Sequence, residues 1–256
     1  MLLAEGVNSR PAIASVRPIS MPPISAPGIE PMPPVMTMTR EAPLTAQQTK
    51  YYELLKEKML VQAAGETITA VNAAAGVNKL LQISAGAAYT DNAEVIEFDC
   101  NPRLNVLLEV LEETERKVIV FAAYRHSIDT ISEFLQKNNI DCMQIHGDVT
   151  PAKRTAIFKQ FQTEKNPRVL VIQPQAASHG ITLHAANTIV WYSPIPSLEF
   201  YLQANARVHR AGQRNPCTVV HLTGSPVEHK LYSSLMNKTE AHDGLLKLFK
   251  DELGIT

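Results

Sequence analysis

The chain has 256 residues, 45% of them hydrophobic, which is enough for one good-sized domain with a sizeable core plus accessory segments. Its 24 basic and 25 acidic residues leave a net charge of -1, which excludes a globally basic coat, so any nucleic-acid contact has to come from local patches. Cys100, Cys142 and Cys217 stand too far apart for a disulfide framework or a Cys-rich zinc site, and no stretch approaches the roughly 20 apolar residues that span a bilayer. The opening MLLAEGVNSRPAIASV has neither a basic leader nor a long apolar run, so no signal peptide and no membrane partner are expected, and the expected setting is a reducing cytoplasm.

Composition divides the chain into residues 1–44, 45–115 and 116–256. The first part contains RPISMPPISAPGIEPMPPVM, whose prolines remove backbone donors and fix φ, so an extended or disordered segment is expected. The second is a helical connector. Thr45 to Ala64 places Tyr51, Leu54, Leu55 and Met59 on or near one face, and further helices are expected over Ala70–Ser84 and Pro102–Thr114.

From Lys117 onward, short apolar runs alternate with helical stretches. Strands are expected at Lys117–Ala123, Cys142–His146, Arg168–Gln173, Thr188–Tyr192 and Cys217–Leu222. Helices are expected at Ser127–Asn138, Pro151–Gln162, Leu198–His209 and Val227–Lys250, the second entered through Thr150 as cap and Pro151 at its first position. The alternation predicts an α/β fold, a parallel sheet with helices on both faces, and functional loops at the carboxyl ends of the strands. Trp191, in the fourth strand, reads as core packing. His179 and His184 have no Cys or carboxylate at ligand spacing, and no metal site is expected.

The most informative segment is QANARVHRAGQ, Gln203 to Gln213. On a continuous helix, Gln203, Arg207 and Arg210 share one face. Two guanidiniums side by side repel unless they meet an anion, and a triphosphate suits the planar fork of arginine. Any single Arg-x-x-Arg is an ordinary solvated helix face. The whole string resembles the last helicase motif of superfamily 2 motors in the Swi/Snf-type branch. KVIVFAAY resembles the strand motif that opens the second RecA-like lobe, IHGDV with Arg154 and Phe161 the turn and helix that follow, and VLVIQPQAASHGITLHAANTIVWY the next motif. The overall arrangement most resembles bacteriophage-encoded members.

The resemblance implies a RecA-like lobe in which Arg207 and Arg210 act as arginine fingers on ATP, supported by Gln203 and by a loop containing Gly180. It also implies Arg125, His146, Gly147 and Gln175 as nucleic-acid contacts, with Arg125 placed at a strand end besides. Two departures stand out: Ala176-Ala177-Ser178-His179-Gly180 replaces an Ala-Gly-Gly pattern, and Thr182 replaces an asparagine. No Gly-x-x-x-x-Gly-Lys-Ser/Thr occurs, and no apolar strand ends in Asp-Glu. The cradle for ATP and Mg²⁺ is therefore expected on an N-terminal RecA-like ATPase lobe, in trans or on a longer protein, and this chain is expected to be inactive alone. The expected function is the C-terminal lobe of an ATP-dependent helicase or translocase acting on DNA, double-stranded by the family resemblance. The alternatives are a non-hydrolysing nucleic-acid or protein-binding module derived from such a lobe, and a decayed gene product without activity.

Overall fold

The computed structural model of the chain describes residues 32–65, 69–90, 92, 94–177, 181–238 and 241–255. Residues 1–31 of the proline-rich segment and Gly180 of the predicted site lie outside them.

The main sheet has six parallel strands: β1 (Val35–Glu41), β4 (Lys117–Phe121), β5 (Cys142–Ile145), β6 (Val169–Ile172), β7 (Ala186–Trp191) and β8 (Cys217–Thr223). Their order is β1-β8-β7-β4-β6-β5. Strand alternation sends Val118, Val120, Val169, Val171, Val190 and Val220 to one face, under α3 (Asn101–Glu112) and α4 (Arg125–Lys137). Ile119, Phe121, Leu170, Ile172, Ile189 and Trp191 face the other way. That second core takes side chains from α1 (Ala46–Gly65), α2 (Ala70–Ala85), α5 (Pro151–Thr163), α6 (Leu198–Asn205), α7 (Pro226–Met236) and α8 (Ala241–Leu253). Burial on both faces explains why the strands read as continuous apolar runs. Trp191 is fully buried between Phe121 and Tyr201 and donates its Nε1–H to Asn205 Oδ1 at 3.0 Å.

The structure departs from the sequence-based expectations in four places. Residues 35–41, inside the segment expected to be extended or disordered, form β1 and pair in parallel with β8 from Val35 against Cys217 to Glu41 against Thr223. Ala87–Tyr89 and Val95–Glu97 form an antiparallel hairpin, β2 and β3, within the expected helical connector. The expected closing helix is two: Lys238 takes a left-handed φ of 54°, which turns the chain so that Leu248, Phe249 and Leu253 pack into the second core. The helix expected over Leu198–His209 stops at Asn205. Beyond it Val208 is drawn into the core at 0% exposure, and the Arg207 carbonyl accepts from Leu183 N instead of from a later turn of helix.

Candidate functional site

That early helix end overturns the shared-face geometry of Gln203, Arg207 and Arg210. Gln203, on the last turn of α6, donates to Glu199 Oε1 at 2.8 Å. Arg207 and Arg210 lie beyond it on an irregular turn, and both attach to the connection that carries the chain from the carboxyl end of β6 to the amino end of β7. Arg207 Nε donates to the Ala177 carbonyl at 3.1 Å, and Arg210 Nη1 to Thr182 Oγ1 at 3.4 Å. Thr182, the departure from the asparagine pattern, thus holds one of the two arginines. Arg210 is exposed, and its bond to Thr182 is long, so most of its donors face solvent.

Gln213 organises the turn, a role that no sequence signal short of the motif itself reveals. It is 5% exposed; its amide donates to the carbonyls of Ala186 at 2.9 Å and Val208 at 3.3 Å, and its Oε1 accepts from Arg214 N and Asn215 N. Gly212 has φ 96°, and a Cβ there would stand 2.8 Å from the His184 ring, so the turn closes over His184 only with glycine at this position. Ala177, the other departure, caps a short 3-10 turn, Pro174–Ala177, and is buried, with its carbonyl free to accept from Arg207.

A second group of candidate residues gathers where β4, β5 and β6 end. Arg125 starts α4, and His146 and Gly147 follow β5. Arg125 Nη1 lies 2.8 Å from His146 Nε2 and 2.9 Å from Asp148 Oδ2, and its Nε donates to Asp129 Oδ2 at 2.9 Å. Burial, reinforced by the Arg125 guanidinium, holds His146 below the usual histidine range, so its imidazole is neutral near pH 7. Arg154 fixes the loop from below by donating to the carbonyls of His146 and Gly147, each at 3.0 Å, and Gln173 Oε1 accepts from Gly147 N at 3.3 Å. A Cβ at Gly147 would meet nothing within 4 Å, so its backbone borders open space. Gln175 is exposed on the 3-10 turn after β6. Asp129 offsets the charge of Arg125 from one turn further along α4, a spacing the sequence shows, whereas Asp148 meets Arg125 only because the loop after β5 folds back onto α4. Among the described residues no group of three or more His, Cys, Asp or Glu side chains is arranged to hold a metal ion, and no helix is long and apolar enough to cross a membrane.

The model of the helicase conserved C-terminal domain matches residues 102–212, which run from the start of α3 to the glycine of the arginine turn. A 107-residue stretch, 42% of the chain, is 36% identical to a SWI/SNF-related matrix-associated actin-dependent regulator of chromatin subfamily A-like protein 1 homolog of Caenorhabditis elegans, covering 16% of that protein. Over 134 residues the chain is 28% identical to the ATP-dependent RNA helicase DBP2 of Eremothecium gossypii, 52% of this chain and 24% of that one. Among solved structures, the Sulfolobus solfataricus SWI2/SNF2 ATPase core in complex with double-stranded DNA superposes with TM-score 0.65 and 18% identity, over 87% of this chain and 50% of that chain. The likeness is one of fold: an α/β RecA-like lobe with a helical N-terminal extension. The chain spans a quarter or less of the curated relatives it matches. Within the matched residues, Gln203, Arg207, Arg210 and Gly212 occupy the final segment, and Arg125, His146, Gly147 and Gln175 the earlier strand ends.

Proposed function

We propose that this lobe is the arginine-bearing half of an ATP-driven, SWI2/SNF2-type motor on double-stranded DNA. ATP and Mg²⁺ are held mainly by a second, N-terminal RecA-like lobe, and Arg207 and Arg210 reach the γ-phosphate when the two lobes close. The observation that carries this reading is the anchoring of both arginines to one connection, through the Ala177 carbonyl and Thr182, with Arg210 exposed. The fit to a phosphate is chemical: a guanidinium with spare donors takes two phosphoryl oxygens at once and stabilises the charge that spreads over them in the transition state. Gln203 belongs to the same ATP site by its place on the last turn of α6, and Gly180, assigned to that site as well, lies outside the described residues. Arg125, His146, Gly147 and Gln175 form the nucleic-acid side, where the open backbone at Gly147 suits a phosphate. The Sulfolobus ATPase core is described with double-stranded DNA, which favours duplex DNA as the track. On the resemblance of its overall arrangement, the finer form of this proposal is a phage-type member working in the host cytoplasm.

The test is DNA-stimulated ATP hydrolysis by the purified chain, alone and mixed with a lobe that carries the phosphate-binding loop. Turnover by the mixture alone, lost in Arg210→Ala while the two lobes still co-elute, upholds the motor. A silent mixture with DNA binding intact replaces it with the binding-module reading.

A further inference from the structure

His209 stands between the two arginines, and its ring Nε2 lies 2.8 Å from the carbonyl of Pro33, a residue far earlier in the chain. Two carbonyls of the turn find donors in the β6–β7 connection and in Gln213: the Arg207 carbonyl accepts from Leu183 N at 2.8 Å, and the Val208 carbonyl accepts from Gln213 Nε2 at 3.3 Å. The Pro33 contact is different in kind, because it ties the turn to the strap that enters β1. Proline fixes φ at Pro33 and again at Pro34, so the direction of the Pro33 carbonyl is set by a stiff piece of chain. The strap is seated immediately afterwards, where Cys217 N donates to the Pro34 carbonyl at 2.9 Å and Val35 pairs with Cys217. A shift of the strap along β8 therefore moves the acceptor of the His209 ring, and with it the segment that carries Arg207 and Arg210.

We infer that the carbonyl of Pro33 positions the arginine turn through His209, so that the seating of the strap before β1 sets whether the two arginines are in place. Its catalytic consequence rests on the reading that these arginines act on ATP. His209 is a positioning residue: its donor is spent on Pro33, and it works by fixing its neighbours.

The contact is tested in the full chain by amide hydrogen exchange at Leu183 and Gln213, whose N–H groups donate to the carbonyls of Arg207 and Arg210. His209→Ala and Pro33→Gly are each expected to speed exchange at both amides about tenfold or more, while strands β4 and β6 stay protected. The double variant is expected to exchange no faster than either single one, and His209→Gln, which keeps a donor, to restore protection in part. With the second lobe present, the two single variants should lower kcat about ten- to a hundredfold and leave KM within about twofold, the pattern of a misplaced catalytic group. Exchange that ignores Pro33→Gly, or effects of the two substitutions that simply add, overturns the inference. If exchange responds as expected but the wild-type mixture never hydrolyses ATP, the positioning contact stands and the motor reading falls.

Discussion

Arg103 Nη2 and Glu228 Oε2 lie 2.6 Å apart with side chains 3% and 0% exposed, and the same guanidinium donates through Nη1 to the carbonyl of Tyr192 at the end of β7. Glu228 also accepts from Gly224 N and Ser225 N, closing the capping box of α7. One ion pair thus joins the start of α3, the centre of the sheet and the start of α7.

Removing one partner strands the other charge. Glu228→Ala should lower stability by about 3–5 kcal/mol, read as a fall in the urea midpoint. Arg103→Met combined with Glu228→Leu should recover most of this, short of the roughly 1 kcal/mol due to the lost cap. A single variant that leaves the midpoint unchanged would show that the pair contributes nothing.

Gly224 faces a harder constraint, since a Cβ there would lie 2.0 Å from the carbonyl oxygen of Ala42, at the end of β1. Backbone must move to admit it. Gly224→Ala is expected to cost about 1–3 kcal/mol or more and to loosen β1 first, seen as faster exchange at the Ala42 amide, which donates to Thr223 O.

The two arginines should part company when stability and turnover are measured together. Arg210 is exposed and weakly held, so Arg210→Ala should leave the melting transition nearly unchanged, within about 0.5 kcal/mol, and cut DNA-stimulated turnover about a thousandfold. Arg207→Ala should lose as much turnover and also some stability, because its Nε bond to Ala177 goes with it.

His221 gives the lobe a pH dependence. It is fully buried, stacked on Tyr232 at 4.1 Å with Nε2 2.9 Å from Tyr201 Oη, and burial pushes its pKa down to about 3. The unfolded chain binds this proton below about pH 6.5 and the folded chain does not, so the contribution is complete above that pH and is lost as pH falls toward 3. Urea titrations should show stability dropping by about 1.4 kcal/mol per pH unit through that window, with the share due to His221 gone in His221→Phe.

Asp148 restrains Arg125, which it meets at 2.9 Å with its own side chain 84% exposed. Asp148→Asn frees part of that charge for a phosphate. DNA binding should tighten severalfold at low salt, and the slope of log K against log[salt] should steepen by about 1. An unchanged slope would remove Arg125 from the nucleic-acid surface.

Strands β4 to β8 were legible because burial on both faces writes continuous runs such as KVIVF and VLVI into the sequence. β1 was not, because it lies at the sheet edge, is only partly buried, and follows a proline-rich stretch that hides its short VMTMTRE pattern. The arginines could be found from their spacing and motif, but their geometry could not. Helical periodicity runs unbroken through Gln203–Arg210, and what ends the helix is tertiary: Leu183 takes the Arg207 carbonyl and the core takes Val208. Asp148 escaped for the same reason, since no local pattern links it to Arg125, whereas Asp129 stands one helical turn on from Arg125 and its spacing was open to reading.

Among the described residues, β1 is the first strand to be made, yet its neighbour in the sheet, β8, is the last of them. Closing so long a loop is entropically slow, and the intervening strands can assemble before it happens. A nascent chain therefore exposes a ready-made edge on β7 until β8 emerges, and on β8 until β1 returns to it, which makes completion of this lobe a late event that a chaperone or a stray strand can intercept.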